Sequence, residues 1–288
     1  MVYNFTQTFD VILGDFGRHA SANYVRYLSE AEQTHLVAAT GHQFFDESRQ
    51  ILFNLCCQIG WYKRDSIMKH IKRQGYLDKD ILIGIGPKDI AEEFIFRATE
   101  TVITNISFAV ERHFPRIRIY TPCNGLTDLT REIVAQSVDS YAGKEQSVEI
   151  LSNGFCHIEN ATKIEFCSLP EKVVRHFCLD ERCKSILVLG TEGVNEIYRS
   201  ECAKNNILVF PLDRRDYDLI NDAIVASIGK NSSELRLAKH ALEKETILRF
   251  RNNYGEGTIV EACTDFELGF GKSSLKIFAE EMVADVYG

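Results

Sequence analysis

Twice in this chain a short apolar run leads directly into a Gly-x-x-Gly turn and then a helical stretch, and few folds accommodate that order of parts. The first copy is Asp10-Val11-Ile12-Leu13 followed by Gly14-Asp15-Phe16-Gly17. Ser21 is then the N-cap of a helix expected to reach about Glu32, with Tyr24, Tyr27 and Leu28 on one face. The second copy is Ser185-Ile186-Leu187-Val188-Leu189, then Gly190-Thr191-Glu192-Gly193, then a helix from about Val194 to Lys204. An apolar run without polar alternation reads as a strand buried on both faces, which is the habit of parallel sheets. Glycines at such turns let backbone amides approach a ligand, and the helix start behind them suits an anion such as a carboxylate.

Each copy is followed, after intervening helices, by a strand that ends in a cysteine. Arg116-Ile117-Arg118-Ile119-Tyr120 alternates as a strand should and continues through Thr121-Pro122 to Cys123, Asn124 and Gly125. Thr258-Ile259-Val260-Glu261 continues through Ala262 to Cys263, Thr264 and Asp265. The shared order of strand, glycine turn, helix, strand and cysteine predicts a pseudo-repeat. It is an α/β fold of two similar domains with parallel sheets flanked by helices and the active site in the cleft between them. Ligands bind at the carboxyl ends of parallel strands, where both cysteines and both glycine turns fall.

The expected domains are 1–143 plus 266–288, carrying the first cysteine, and 144–265, carrying the second, with the crossing near Gly143 and Lys144. The first half is the longer, and its surplus lies between Thr40 and Asp80, where Phe44, Phe45, Trp61 and Tyr62 cluster. Elsewhere the pattern predicts a strand over 81–85 and helices from Pro87 to about Arg112 and from Asp128 to about Asp139, the latter capped by Thr127. Strands are expected over 148–151, 164–166 and 207–210, and helices over 170–179, 218–227 and 234–251.

Two thiols at equivalent strand ends suit one kind of chemistry. If a proton leaves an α-carbon from one face and another returns from the opposite face, a single base does not suffice. A thiolate and a thiol on opposite sides form a matched acid and base pair. A cysteine pKa of about 8.5 falls readily at a helix N-terminus or beside hydrogen-bond donors, and a helix follows Cys123. Asp265 is a candidate catalytic partner of Cys263, orienting it or relaying a proton. In the first glycine turn, Asp15, Phe16 and Arg18 are candidate substrate contacts, Arg18 for a carboxylate.

Composition removes several other classes. The net charge of −8, with Lys and Arg scattered among more numerous acids, gives no surface for nucleic-acid phosphates. No apolar run approaches the ~20 residues of a membrane span, and the N-terminus lacks the basic and apolar regions of a signal peptide. A cytoplasmic protein is expected. Nine cysteines, an odd number without a secretion signal, read as reduced thiols. Cys178 and Cys183, with Cys167, His157 and His176 nearby, are too loosely spaced for a zinc site, so no metal is expected. The glycine turns lack the dinucleotide fingerprint Gly-x-Gly-x-x-Gly.

The sequence resembles the cofactor-independent aspartate/glutamate racemase family. The resemblance rests on Leu13-Gly14-Asp15-Phe16-Gly17 with Ala20-Ser21-Ala22, on Pro122-Cys123-Asn124, on Leu189-Gly190-Thr191, on the stretch from Tyr198 to Pro211, and on Cys263-Thr264-Asp265. It implies two α/β domains closing over an amino acid or related carboxylate, without pyridoxal phosphate or any other cofactor, in a homodimer. It implies Cys123 and Cys263 as base and acid, with Asn124, Thr191 and Thr264 on the substrate carboxylate or amine. Asp265 stands where the family has an assisting His or Glu. Three departures bear on the substrate. The family's Cys-Asn-Thr is Cys123-Asn124-Gly125 here, so the contact at Gly125 loses a hydroxyl. Glu192-Gly193-Val194 replaces the small and hydroxyl residues usual after Gly-Thr. The arginine segment that reads an acidic side chain has no clear counterpart, Arg49 being the candidate. The reading is therefore a racemase or epimerase of an α-amino acid. A dicarboxylate isomerase or decarboxylase, a hydantoin racemase, or a small-molecule binder that kept the cleft are the alternatives.

Overall fold

A computed structural model describes residues 8–13, 20–30, 37–40, 87–112, 114–145, 148–150, 155–158, 162–180, 183–228, 232–255, 257–263 and 268–287. The strand expected over 81–85 and the aromatic stretch between Thr40 and Asp80 lie outside them.

The first sheet contains β1 (Thr8–Leu13), β2 (Val37–Thr40), β3 (Arg116–Tyr120), β4 (Val148–Ile150), β5 (Phe155–Ile158) and β6 (Thr162–Phe166), in the order β2-β1-β3-β6-β5-β4. From β2 to β6 the pairing is parallel, with Ile12 opposite Tyr120 and Ile117 opposite Ile164. The edge β6-β5-β4 is antiparallel. The second sheet is wholly parallel, in the order β10-β9-β7-β8, from β7 (Ser185–Leu189), β8 (Leu208–Val209), β9 (Thr258–Glu261) and β10 (Lys272–Ser273).

Strand pairing departs from the sequence expectation at one border. Strands β4, β5 and β6, which fall in the stretch read as the start of the second half, hydrogen-bond into the first sheet, because β6 lies beside β3 and β5 and β4 pair onward from it. The first sheet is accordingly mixed, and the crossing to the second sheet comes after Phe166.

The helices named here are α1 (Ala20–Glu30), α2 (Pro87–Glu111), α3 (Thr127–Glu145), α4 (Leu169–Cys178), α5 (Glu192–Lys204), α6 (Arg214–Ile228), α7 (Ser232–Leu242), α8 (Leu248–Tyr254) and α9 (Ser274–Tyr287). The single helix expected over 234–251 is in fact α7 and α8 joined by a π-helical turn, Glu243–Ile247. That turn carries Thr246, whose hydroxyl donates to Asp216 at 2.7 Å. Among the described residues no helix is long and apolar enough to cross a membrane.

The apolar run of β7 serves two cores. Ile186 and Val188 face one layer while Leu187 and Leu189 face the other, all four with no exposed surface, as the two-residue period of a strand requires. The outer layer holds Phe210, Ile220, Ile224, Leu242, Ile247 and Phe250. The inner layer joins the halves: Ile12 and Tyr120 from the first sheet meet Val188 and Val260 from the second, with Tyr24, Val173, Val194, Tyr198 and Phe278 between them. At its centre the Tyr24, Tyr120 and Phe278 rings stand 5.4 to 5.6 Å apart.

One charge pair sits beside that layer. Arg118 on β3 donates to both carboxylate oxygens of Asp10 on β1, at 2.7 and 2.6 Å, and to the Met282 carbonyl of α9 at 2.8 Å. Burial opposes the Arg118 charge, but the Asp10 carboxylate outweighs it and holds the guanidinium above its ordinary range.

Candidate functional site

Three chain segments meet at the carboxyl ends of β3, β7 and β9, and each contributes a residue singled out by the sequence. Cys123 follows β3 in extended geometry, with φ −137° and ψ 117°, and opens a single 3-10 turn over Asn124–Leu126 that passes into α3. The Cys123 carbonyl accepts from the Leu126 amide at 3.4 Å and from the Thr127 hydroxyl at 3.3 Å. Thr127 is thus itself the first residue of α3, and its hydroxyl reaches back to the cysteine. Cys123 as a residue is 9% exposed, and its thiol forms no disulfide.

Cys263 follows β9, which continues the second sheet as far as Ala262, whose amide donates to the Leu189 carbonyl at 3.0 Å. Cys263 as a residue is 7% exposed, and its thiol also forms no disulfide. Two residues earlier, Glu261 is buried and folds its carboxylate back over the chain beyond the cysteine. It accepts from the amides of Leu268 at 2.8 Å, Phe270 at 2.6 Å and Gly271 at 3.1 Å. Satisfying a buried carboxylate with backbone donors is the condition for keeping it there.

The turn after β7 lies between the two cysteine segments. Gly190 is required by crowding: a Cβ there would stand 2.9 Å from Val194 Cγ1 and 3.3 Å from the Ala262 Cβ. Thr191 is the residue that precedes α5 as its N-cap, is buried, and makes no capping hydrogen bond with its side chain, so its hydroxyl is not committed to the helix. The helix end is held instead by Asn195, whose amide nitrogen lies 3.2 Å from the Val188 carbonyl, 2.9 Å from Gly190 and 3.2 Å from Thr191. Gly125 faces the same place from the first half. It is exposed, and among the described residues the nearest atom to a Cβ built on it is Val194 Cγ2 at 3.9 Å. Among those residues, a methyl group at this position would meet Val194 alone, at ordinary contact distance.

Asn124 binds the segments together. Its amide nitrogen donates to the Ala262 carbonyl at 2.7 Å and to the Ser274 hydroxyl at 3.1 Å, and its oxygen accepts from the Tyr198 hydroxyl at 3.0 Å. The residue after the first cysteine is therefore bonded to the residue before the second. Both amide hydrogens go to protein acceptors, which differs from the substrate contact that the family resemblance implies for Asn124.

Of the expected site residues, Cys123, Asn124, Gly125, Thr191 and Cys263 are brought together. Asp15, Phe16, Arg18, Arg49, Thr264 and Asp265 lie outside the described residues. Sequence reading passed over Asn195, Tyr198, Glu261 and Ser274. A signal for the first two exists: Thr191, Val194, Asn195, Tyr198 and Cys202 follow helical spacing on α5, and all are buried. A polar residue on such a face needs an interior partner.

The remaining described cysteines carry other environments. Burial pushes the Cys202 thiol up to about 12 and Cys167 higher still, so both stay protonated, while Cys178 is exposed at the end of α4.

No family model and no curated protein matches the sequence. Among solved structures, an aspartate racemase from Picrophilus torridus is 12% identical, with a TM-score of 0.46 over 97% of this chain and 94% of that one. An aspartate racemase homologue from Pyrococcus horikoshii is also 12% identical, with a TM-score of 0.55 over 98% of this chain and 100% of that one. At that identity the likeness is one of architecture, and through nearly its whole length the chain has the fold of the Pyrococcus aspartate racemase homologue.

Proposed function

We propose that the protein is a cofactor-independent racemase or epimerase of an α-amino acid, acting by proton transfer between Cys123 and Cys263. The observation that carries this is the Asn124 to Ala262 hydrogen bond, which sets the two cysteine segments side by side at the ends of parallel strands. One sulfur, as thiolate, takes the α-proton and becomes a thiol. The carbanion takes a proton from the other thiol on its opposite face, leaving that sulfur as thiolate. The charge and proton count are unchanged, and the reverse turnover uses the same two groups in exchanged roles. Thr191, Thr264 and the first glycine turn, with Asp15, Phe16 and Arg18, are assigned to the substrate carboxylate and amine. Asp265 serves the second cysteine. The fold shared with a protein described as an aspartate racemase homologue supports the assignment.

Gly125 is exposed and brings no hydroxyl to the site, which favours a substrate held there differently from a close copy of aspartate recognition. The test is α-carbon deuterium incorporation in D2O, run over L- and D-amino acids, dicarboxylates and hydantoins. Exchange with inversion of an amino acid is expected. Exchange confined to dicarboxylates or hydantoins moves the assignment to those classes, and no exchange with any compound removes it.

A further inference from the structure

We propose that Asn124 is a positioning residue, clamped by Tyr198 and Ser274, that fixes the Cys123 segment against the Cys263 segment without touching substrate; the catalytic part of this inference rests on the racemase reading. The three side chains come from distant parts of the chain: the 3-10 turn after β3, the second turn of α5, and the first residue of α9. All are sealed from solvent, Asn124 at 2% exposure and Tyr198 and Ser274 at 0%. Tyr198 donates to the Asn124 oxygen, and Asn124 donates to the Ser274 oxygen. The remaining Asn124 hydrogen goes to the Ala262 carbonyl. Both amide hydrogens and the oxygen of Asn124 thus have buried partners, the condition under which a buried polar network fixes one geometry.

Burial keeps the Tyr198 phenol far above its ordinary range, so its O–H remains a donor at any working pH. The Tyr198 contact therefore does not loosen by titration. The clamp holds the cysteine segments at a constant separation while the other edge of the site, which includes the exposed Gly125, remains for the substrate.

The experiment measures the alkylation rates of Cys123 and Cys263 separately, by iodoacetamide labelling and peptide mass spectrometry, in Asn124→Ala and Tyr198→Phe. Removing a buried hydrogen bond shifts local opening by roughly fivefold or more. The clamp predicts a change of about that size at Cys263, although residue 124 is remote from it in sequence, and a smaller change in the same direction in Tyr198→Phe. A Cys263 rate equal to wild type in Asn124→Ala overturns the clamp. If that variant does not fold, the Tyr198→Phe rate decides by the same criterion. Where exchange activity is present, kcat should fall by about 10²-fold with KM within a few-fold, while a raised KM at constant kcat would make Asn124 a substrate ligand. Absence of exchange in the wild type removes the racemase reading and leaves the labelling result standing.

Discussion

β3 and β9 do the same task by different means. Each strand delivers a cysteine from its carboxyl end, and each buries one charged side chain a few residues earlier. Arg118 on β3 is neutralised by an opposite charge, Asp10, on the neighbouring strand. Glu261 on β9 is met by three neutral amides of the chain that follows Cys263. The first device ties strand to strand and strand to helix α9. The second ties the strand to its own continuation. The two strands thus agree in where their cysteines stand and not in how the charge beside them is supported, because burial of charge has more than one satisfactory solution.

The largest expected effect tests the equivalence of the two thiols. Cys123→Ala and Cys263→Ala should each lower racemisation by about 10²- to 10⁴-fold; one variant with full activity would end the two-base scheme. The next contrast separates the supports. Arg118→Met leaves Asp10 charged and buried, and should cost about 3–5 kcal/mol in urea denaturation. Glu261→Ala should cost on the order of 3 kcal/mol, by stranding buried amides. Glu261→Gln, which keeps the shape, should cost less. Equal loss in the two Glu261 variants would mean that the carboxylate, and not the shape of the side chain, holds these amides; no loss in Glu261→Gln would make the charge irrelevant there. The smallest contrast sets the two glycines of the site against each other. Gly190→Ala forces a Cβ against Val194 and should destabilise by about 1–3 kcal/mol. Gly125→Ala should stay within about 0.5 kcal/mol, and a thermal melt that ranks them the other way would refute the packing at this turn.

How much of this was legible depended on how local each feature was. The bounds of β3, β7 and β9 follow from apolar run and alternation, since a strand's own residues decide its pattern. The partner of a strand is not local. The 148–166 segment reads as short strands from its sequence, yet only the pairing of Ile117 with Ile164 assigns them to the first sheet. The π-helical turn escaped for a related reason: an inserted residue in a helix leaves the apolar spacing on either side intact. At the site, the motif identified Asn124 but not its work. Its two acceptors lie 138 and 150 residues away, and no window of sequence contains them.

The Arg118 contact with the Met282 carbonyl bears on how the chain comes to be folded as it is made. Met282 leaves the ribosome 164 residues after Arg118, and Phe278 of the same helix completes the aromatic cluster on Tyr24 and Tyr120. A chain arrested before α9 lacks both partners, so the Arg118 guanidinium and the Tyr24 and Tyr120 rings lose the contacts that α9 gives them. Truncation before Ser274 should therefore lower the stability of the first sheet as well as remove α9, as read by urea denaturation.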